Sequence, residues 1–408
     1  MINSERLSAL PYREDQRRIY PGRWFNRLRW GLAPLIVVCA FAAPIDAFGE
    51  EWKINSSGTA SLDFDDNVNL EAGNGGESAV TATLVPVVSV DRKAETLDLS
   101  LQGTVRLVRH YGIENHEGEN PSLNFNATKR FEKATASLNT AYQRQSTRQS
   151  ELADTGLINT QSVRQSISID PGLSYQLTER DNLSFNAGVN AVAFSGGENG
   201  QFNNFRSYSW QSTWSRQSSE NFRYQIILNG SYFRPSAGVA SDTYGFLTGR
   251  NWMLTEKLSL DTLGGIRYQI VKDLPGAAQN SGGIGTQFQA SLTYSGEVTT
   301  ISGSLNRAVS PSAGGRTLET DTVGVAVSHQ LSETLSVSFS ANGTLSRPSG
   351  GDTNTTTRQF YSLAPSLSWR INERLSLTAD LQHRSQSLNE GDSAQSNSAG
   401  ISLHFALP

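Results

Sequence analysis

Apolar residues recur at every second position along many short stretches of this chain. In one stretch, Leu97, Leu99 and Leu101 alternate with polar or charged residues, and a second such stretch runs from Leu375 to Leu381. Side chains of a β-strand point alternately to opposite faces, so the pattern predicts strands with one apolar and one polar face. Beyond the N-terminal segment, no stretch shows a convincing helical period.

The composition excludes several other classes of protein. Only 37% of the 408 residues are hydrophobic and 18% are charged, which is too little apolar surface for a large dry core. Aromatic residues and the regular alternation also argue against a disordered chain. The net charge of −4 argues against a nucleic-acid partner, because that needs a basic face. A water-filled barrel fits this composition, since each strand then needs apolar residues on one face only.

Four tight turns of similar sequence predict the number of strands. They begin at Leu177, Leu254, Leu331 and Ile371, and successive starts lie 77, 77 and 40 positions apart. These spacings match two, two and one copies of a single hairpin unit, and about nine such units fit after the N-terminal segment. We therefore predict an all-β, transmembrane, antiparallel up-and-down barrel of about 18 strands, each crossing with about 9–11 tilted residues. Longer polar connections alternate with the tight turns, and we expect them outside the cell.

Residues 1–49 are interpreted as an N-terminal extension and signal peptide, and residues 50–408 as the barrel. An apolar run at residues 30–43 follows several arginines, and residues 47–49 offer a small-x-small cleavage site. A transmembrane anchor is the competing interpretation, but the run is short for a span of about 20 residues. Cys39 is the single cysteine, so no disulfide framework or cysteine metal site is expected. We expect the cell outer membrane as the location, with outer-membrane lipid and the barrel assembly machinery as partners.

Three prolines lie in matching segments that are otherwise typical of strands. They are Pro86, Pro171 and Pro365. Because proline cannot donate a hydrogen bond to a strand ladder, we expect bulges or local breaks there, close to the rim of the barrel.

The polar face of the strands would line the lumen, and it carries charges of both signs. The candidate lining residues are Arg106, Arg130, Arg164, Arg223, Arg267 and Arg384, together with Asp98, Asp170, Asp261 and Asp380. A charged side chain facing lipid costs about 2–4 kcal/mol at the bilayer midplane, so these should point inward. Two interpretations stay open: opposite charges pair across the lumen and stabilise the barrel, or the lumen is a pore for polar, sugar-like solutes.

No catalytic constellation, metal-ligand spacing or cofactor motif is found, so we expect no enzyme activity and no cofactor. His110 and His116, beside acidic residues, are the only candidates for an enzyme site at the rim, and a solvated loop explains them better. The acidic cluster at residues 63–67 offers oxygen ligands for Ca²⁺ but lacks the full loop pattern.

The end of the chain resembles the assembly signal of outer-membrane barrels. Gly400, Leu403 and Phe405 occupy its defining positions, although residues 406–408 follow the terminal aromatic residue. The first hairpin, at residues 61–70 and 84–90, is similar to the opening of the β-barrel porin type 2 family. This resemblance implies an outer-membrane porin-like barrel linked to exopolysaccharide export, with polysaccharide and export components as partners. A non-conducting structural or assembly barrel of a surface secretion system is the alternative.

Overall fold

The protein is a closed barrel of 18 antiparallel strands. The structure is a computed structural model and describes residues 51–73, 76–113, 118–154, 162–196, 202–272, 281–349, 357–389 and 392–407. The strands are β1 (Glu51–Asp65), β2 (Ala79–Lys93), β3 (Leu97–Tyr111), β4 (Gly118–Arg130), β5 (Ala134–Ser146), β6 (Val163–Gln176), β7 (Asp181–Ser195), β8 (Phe205–Ser219), β9 (Phe222–Pro235), β10 (Ala240–Thr255), β11 (Leu258–Lys272), β12 (Ser281–Ser295), β13 (Thr299–Ser312), β14 (Arg316–Gln330), β15 (Leu335–Pro348), β16 (Arg358–Arg370), β17 (Leu375–Leu388) and β18 (Asp392–Leu407). Each strand pairs with its neighbours in sequence, and β1 also pairs with β18. The predicted fold is confirmed.

A short helix, α1 (Thr147–Asp154), interrupts the connection between β5 and β6. The sequence pattern does not predict this helix, because eight residues are too few to show a helical period. Among the residues that the structure describes, no helix is long and apolar enough to cross a membrane. Residues 1–50 lie outside the described residues, so the extension and signal peptide remain expectations.

The pairing of β1 with β18 closes the barrel. Gly58 lies opposite Phe405 in this register, and a Cβ atom at position 58 would lie 2.5 Å from the Phe405 ring. Glycine at 58 therefore leaves room for the ring to lie across the neighbouring strand. Leu403 pairs with Ala60, so the proposed assembly signal forms the closing strand, while its recognition by the assembly machinery stays a prediction.

The outer face of the barrel is apolar over most of its height. Ile54 and Leu62 in β1 are each 60% exposed, and many large apolar residues at outer-face positions of the other strands are also exposed. Aromatic residues lie at outer-face positions near the tight turns, including Trp252 and Trp369, where amphipathic rings are stable at headgroup depth. A closed barrel keeps this much apolar surface from water only by contacting lipid. The chain is an outer-membrane β-barrel.

The strands and connections differ in length from the prediction. Strands are 13 to 16 residues long, more than the about 9–11 residues needed to cross, so they extend beyond the hydrocarbon region. Three of the connections on the side where we expect long loops are short. They span residues 236–239, 313–315 and 389–391. The expected alternation of tight turns and long loops is wrong at these three places.

The prolines lie in mid-strand, and each makes a local break in the ladder without a bulge. The prediction of breaks is therefore confirmed, whereas the alternative of bulges and the position near the rim are wrong. The register of β16 with β17 is the same before and after Pro365, since Leu363 pairs with His383 and Ser366 with Asp380. Pro86 and Pro171 interrupt the ladder in the same way, without a shift in register. Each proline thus removes local ladder bonding on one side of its strand while the alternation of faces continues.

Candidate functional site in the barrel lumen

The predicted lining residues all occupy inner-face positions. They are Arg106 and Asp98 in β3, Arg130 in β4, Arg164 and Asp170 in β6, Arg223 in β9, Arg267 and Asp261 in β11, and Arg384 and Asp380 in β17. In each of these strands, the residues of the opposite parity belong to the outer face, where exposed apolar side chains or small residues lie. The structure does not bring them into one cluster, because they are distributed around the whole wall.

Several of these charges pair with residues of the adjacent strand rather than across the lumen. Arg130 forms an ion pair with Asp98, and the Nε atom of Arg223 donates a hydrogen bond to Gln217 at 2.9 Å. Asp261 accepts a hydrogen bond from Asn251. These contacts tie neighbouring strands together.

A cavity of about 880 Å³ occupies the lumen beside β1, β3 and β17. Arg106 and His110 line it from β3, and Asp380 and Arg384 line it from β17. Arg384 forms an ion pair with Asp65. The lining therefore presents cations, carboxylates and an imidazole to the same volume.

His110 also contacts the wall of this cavity. Its Nδ1 atom lies 2.8 Å from the Thr81 hydroxyl. His116, the second histidine of the enzyme alternative, lies outside the described residues. Among the described residues, no group of His, Cys, Asp and Glu side chains could hold a metal ion.

Helix α1 lies over the extracellular side of this cavity. Arg148 lines the cavity, is buried and donates a hydrogen bond to Asn69 in the connection after β1. Glu151 is 2% exposed, and its carboxylate lies 3.9 Å from the Nε atom of Arg164. The helix therefore links the β5–β6 side of the mouth to the connection after β1.

The Arg148 guanidinium is buried beside this cavity. Burial lowers its pKa below the ordinary value of an arginine, and the carboxylates of Asp65 and Glu77 act in the opposite direction. Arginine keeps its proton at neutral pH in either case. Its Nε and Nη1 atoms are fully buried and have no protein hydrogen-bond partner.

On the opposite side of the barrel, β12 and β13 part in their extracellular halves. Their pairing begins at Phe288 and Arg307 and ends at Ser295 and Thr300. Residues 281–287 of β12 stay paired with β11, whereas the upper part of β13 stays paired with β14. The wall is therefore discontinuous above Phe288.

The upper β13–β14 hairpin folds inward behind this break. By alternation, Val309 of β13 has the parity of Leu305, which is exposed on the outer face. Thr317 of β14 likewise has the parity of the exposed Val323. Both residues therefore belong to the outer face of their strands. Val309 nevertheless lines a lumen cavity of about 340 Å³ together with Arg267 of the inner wall. The outer face of the hairpin thus packs against the inner face of β10 and β11.

A small polar cluster joins the two layers. Gln269 of β11 donates hydrogen bonds of 2.9 Å to Thr317 and to Ser349. Ser241 of β10 lies 3.4 Å from the same Thr317 hydroxyl. Gln269, Thr317 and Ser241 are all buried, so the overlap is a packed contact between layers.

Ion pairs extend this contact from the lumen to the outer surface. Arg267 pairs with Glu319 of β14, and Arg347 lies 3.7 Å from Glu319 and 2.5 Å from Asp321. Asp321 also pairs with Arg307, at 2.5 Å. The Arg307 guanidinium lies over the outer-face ring of Phe288, 5.5 Å from its centroid. The network therefore closes the break between β12 and β13.

A glycine makes the path of Arg267 possible. Gly285 of β12 lies opposite Arg267 in the register, and a Cβ atom there would lie 2.7 Å from the guanidinium. The Arg267 side chain can extend across β12 toward Glu319 because Gly285 has no side chain to block it.

The tip of the hairpin reaches the connection between β7 and β8 and the connection between β9 and β10. Asn203 donates a backbone hydrogen bond of 2.8 Å to Ala313, and Val239 donates one of 2.7 Å to Gly315. Nearby, Phe205 and Phe233 pack with Val192 in a buried apolar cluster on the inner wall. The hairpin is therefore anchored at its tip as well as along its outer face.

The sequence analysis missed the residues that hold the hairpin and the helix in place. Gln269, Glu319 and Arg148 were not candidates. A signal for the hairpin was present, because Thr317, Glu319 and Asp321 occupy three successive positions of the lipid-facing parity. Polar residues at such positions indicate that the strand leaves the wall. No comparable signal marks Arg148, which belongs to a connection.

Several solved structures have a similar fold. OccAB2 of Acinetobacter baumannii is 9% identical, with a TM-score of 0.48, over 88% of this chain and 98% of that one. OccK8 (OprE) of Pseudomonas aeruginosa is 10% identical, with a TM-score of 0.44, over 87% and 99%. The FrpB iron transporter of Neisseria meningitidis, F5-1 variant, is 11% identical, with a TM-score of 0.49, over 82% of this chain and 62% of that one. No protein-family model matches the chain, and no curated protein is significantly similar to it in sequence.

Proposed function

We propose that this barrel is a channel for polar solutes whose extracellular mouth is narrowed by helix α1 and by the β13–β14 hairpin. The observation that carries the proposal is the cavity of about 880 Å³, lined by side chains of both charges. An 18-stranded barrel is wide enough for an aqueous path unless something fills it. Hydrogen-bonding groups on a pore wall replace the hydration of a passing solute, which favours neutral or mixed-charge polar molecules.

Saccharides are the solute class that fits this lining best. Their hydroxyl groups both donate and accept hydrogen bonds, and Arg106 offers donors while Asp63 and Asp380 offer acceptors in the same cavity. The resemblance of the first hairpin to the β-barrel porin type 2 family supports a link to exopolysaccharide export. Polysaccharide and export components are accordingly the partners that we propose.

The test is single-channel conductance of the full chain, purified from outer membranes, in a planar bilayer. We expect stable open steps that neutral oligosaccharides block in a concentration-dependent way. Open steps that are insensitive to every oligosaccharide would reject the saccharide assignment and leave a general polar channel.

A second candidate is a non-conducting assembly or structural barrel, and the inward-folded hairpin favours it. The hairpin packs on the inner wall through Gln269 and Glu319, so it fills part of the mouth. Absence of conductance in the wild type and in Glu319→Gln, with both proteins folded as judged by heat-modifiable migration, would favour this candidate over the channel.

A further inference from the structure

Three cations lie together on the outer face at the extracellular end of the barrel. Arg206 is the second residue of β8, Arg234 is close to the end of β9, and Lys272 ends β11. Their outer-face positions follow from alternation, since Tyr208 of β8, Leu228 of β9 and Tyr268 of β11 have the same parity and are 40%, 49% and 48% exposed. The cations therefore project toward the surrounding outer leaflet and not into the lumen.

One carboxylate pairs with two of the three cations. Asp242 of β10 is buried, and its oxygens lie 2.5 Å from Arg234 and 2.5 Å from Lys272. No carboxylate of the described residues forms an ion pair with Arg206. The cluster thus keeps two uncompensated positive charges at the outer surface.

Arg206 and Arg234 occupy directly opposed positions in the β8–β9 register. Directly opposed residues on one face have Cβ atoms about 4.5–5.5 Å apart, and like charges in such a pair destabilise the sheet. An anion that binds between the two guanidinium groups removes this repulsion. Guanidinium groups bind phosphate particularly well, because their planar N–H donors match its oxygens in pairs.

The depth of the cluster identifies the source of the phosphate. Below the cations lie Tyr208, Tyr232 and Tyr244; the rings of Tyr232 and Tyr244 are 6.0 Å apart. The Arg234 guanidinium lies 5.9 Å from the centroid of the Tyr232 ring. Tyrosine belts mark the boundary between hydrocarbon and headgroups. The cations above them are therefore at the height of lipid headgroups.

We propose that Arg206, Arg234 and Lys272 form a binding site for the phosphate of an anionic lipid headgroup in the outer leaflet. Asp242 positions Arg234 and Lys272, and Arg206 completes the site from the neighbouring strand. The acyl chains of the lipid lie against the apolar outer wall below the tyrosines. The site is independent of solute passage through the lumen.

The test is binding of lipid A, a glucosamine lipid with two phosphates, to the purified full-length barrel, followed by native mass spectrometry. Arg206→Gln and Lys272→Gln should each weaken binding about fivefold, since each basic residue near an anionic membrane surface raises the affinity by about that factor. The matched control is Arg250→Gln, an outer-face arginine that stacks on Trp252 near the periplasmic end. This control should bind lipid A as the wild type does. Heat-modifiable migration verifies the fold of each variant.

Two further probes separate the sources of phosphate. The same lipid without its phosphates should not bind at the site, and millimolar inorganic phosphate should not displace lipid A. Equal binding by Arg206→Gln and wild type, or equal binding of the phosphate-free lipid, would overturn the proposal. Complete displacement by inorganic phosphate would overturn the lipid assignment in favour of a site for free anions.

Discussion

Arg267 of β11 forms an ion pair with Glu319 of β14, although β12 and β13 lie between these strands in the order of the sheet. Residues three strands apart in a continuous wall do not meet in this way. The contact exists because the upper β13–β14 hairpin leaves the wall and folds against the inner face of β10 and β11. The pair is also enclosed, with side chains that are 7% and 21% exposed.

Glu319→Gln should loosen the hairpin and increase the conductance of the barrel. Removing one partner of a buried ion pair costs about 3–5 kcal/mol, and the partial exposure of Glu319 puts the expected cost at or below the lower end. Single-channel recording should show larger or more frequent open steps. Glu333→Gln, in an exposed periplasmic turn, is the control and should leave conductance unchanged. Identical recordings for Glu319→Gln and wild type would contradict a gating role for the pair.

Gly285→Ala should have a similar effect by a different route. The added Cβ atom would stand 2.7 Å from the Arg267 guanidinium, so the side chain must move away from Glu319. Gly283→Ala is the matched control in the same strand, because no atom lies within 4 Å of its added Cβ. We expect raised conductance for the first variant only. If both variants behave alike, the position of Arg267 does not depend on Gly285.

A disulfide between β10 and β14 should hold the hairpin in place. Ser241 and Thr317 have side chains as short as that of cysteine, and their hydroxyl oxygens are 3.4 Å apart, so cysteines at these positions, in a Cys39→Ser background, lie close enough to be tested for oxidation. The oxidised protein should show low, steady conductance, and a reductant should restore fluctuations. Each single-cysteine variant is the control. Free opening in the oxidised, cross-linked protein would show that the hairpin does not move during gating.

Arg148→Ala should widen the mouth beside helix α1 and shift ion selectivity toward cations. The variant removes a buried positive charge and its contact with Asn69, while Asp63, Asp65 and Asp380 remain in the cavity. The reversal potential in a salt gradient measures this shift. Arg250→Ala, on the outer face, should leave the reversal potential unchanged. An unchanged potential in Arg148→Ala would place the ion path elsewhere in the lumen.

Pro365→Ala should stabilise the barrel by about 0.5–1.5 kcal/mol, the net value of one hydrogen bond. The new N–H group faces β17, where the register puts Leu381 opposite position 365. Unfolding by urea in detergent or lipid vesicles measures the change. Pro235→Ala, at the last residue of β9, should change the stability less. A destabilised Pro365→Ala barrel would indicate that the proline favours the strand by restricting the unfolded chain.

The sequence predicts the wall of this barrel better than its interior. The repeated tight turns at Leu177 and Leu254 predict the number of strands, because each turn ends one hairpin. The period of two assigns Arg106 and Arg384 to the inner face, because alternation depends only on local backbone geometry. Alternation cannot tell whether two adjacent strands remain paired along their full length. The parting of β12 from β13 depends on contacts such as that of Gln269 with Thr317, between residues 48 positions apart.

The parting of β12 and β13 changes what determines the width of the mouth. In the periplasmic half, the circumference is fixed, because every strand is hydrogen-bonded to the next. In the extracellular half, the sheet is an open scroll whose two edges overlap. A scroll can widen or tighten by sliding one edge over the other, with exchange of side-chain contacts and no loss of ladder hydrogen bonds. Such sliding would change the aperture at the cell surface, while the ladder hydrogen bonds of the periplasmic half hold the circumference below it.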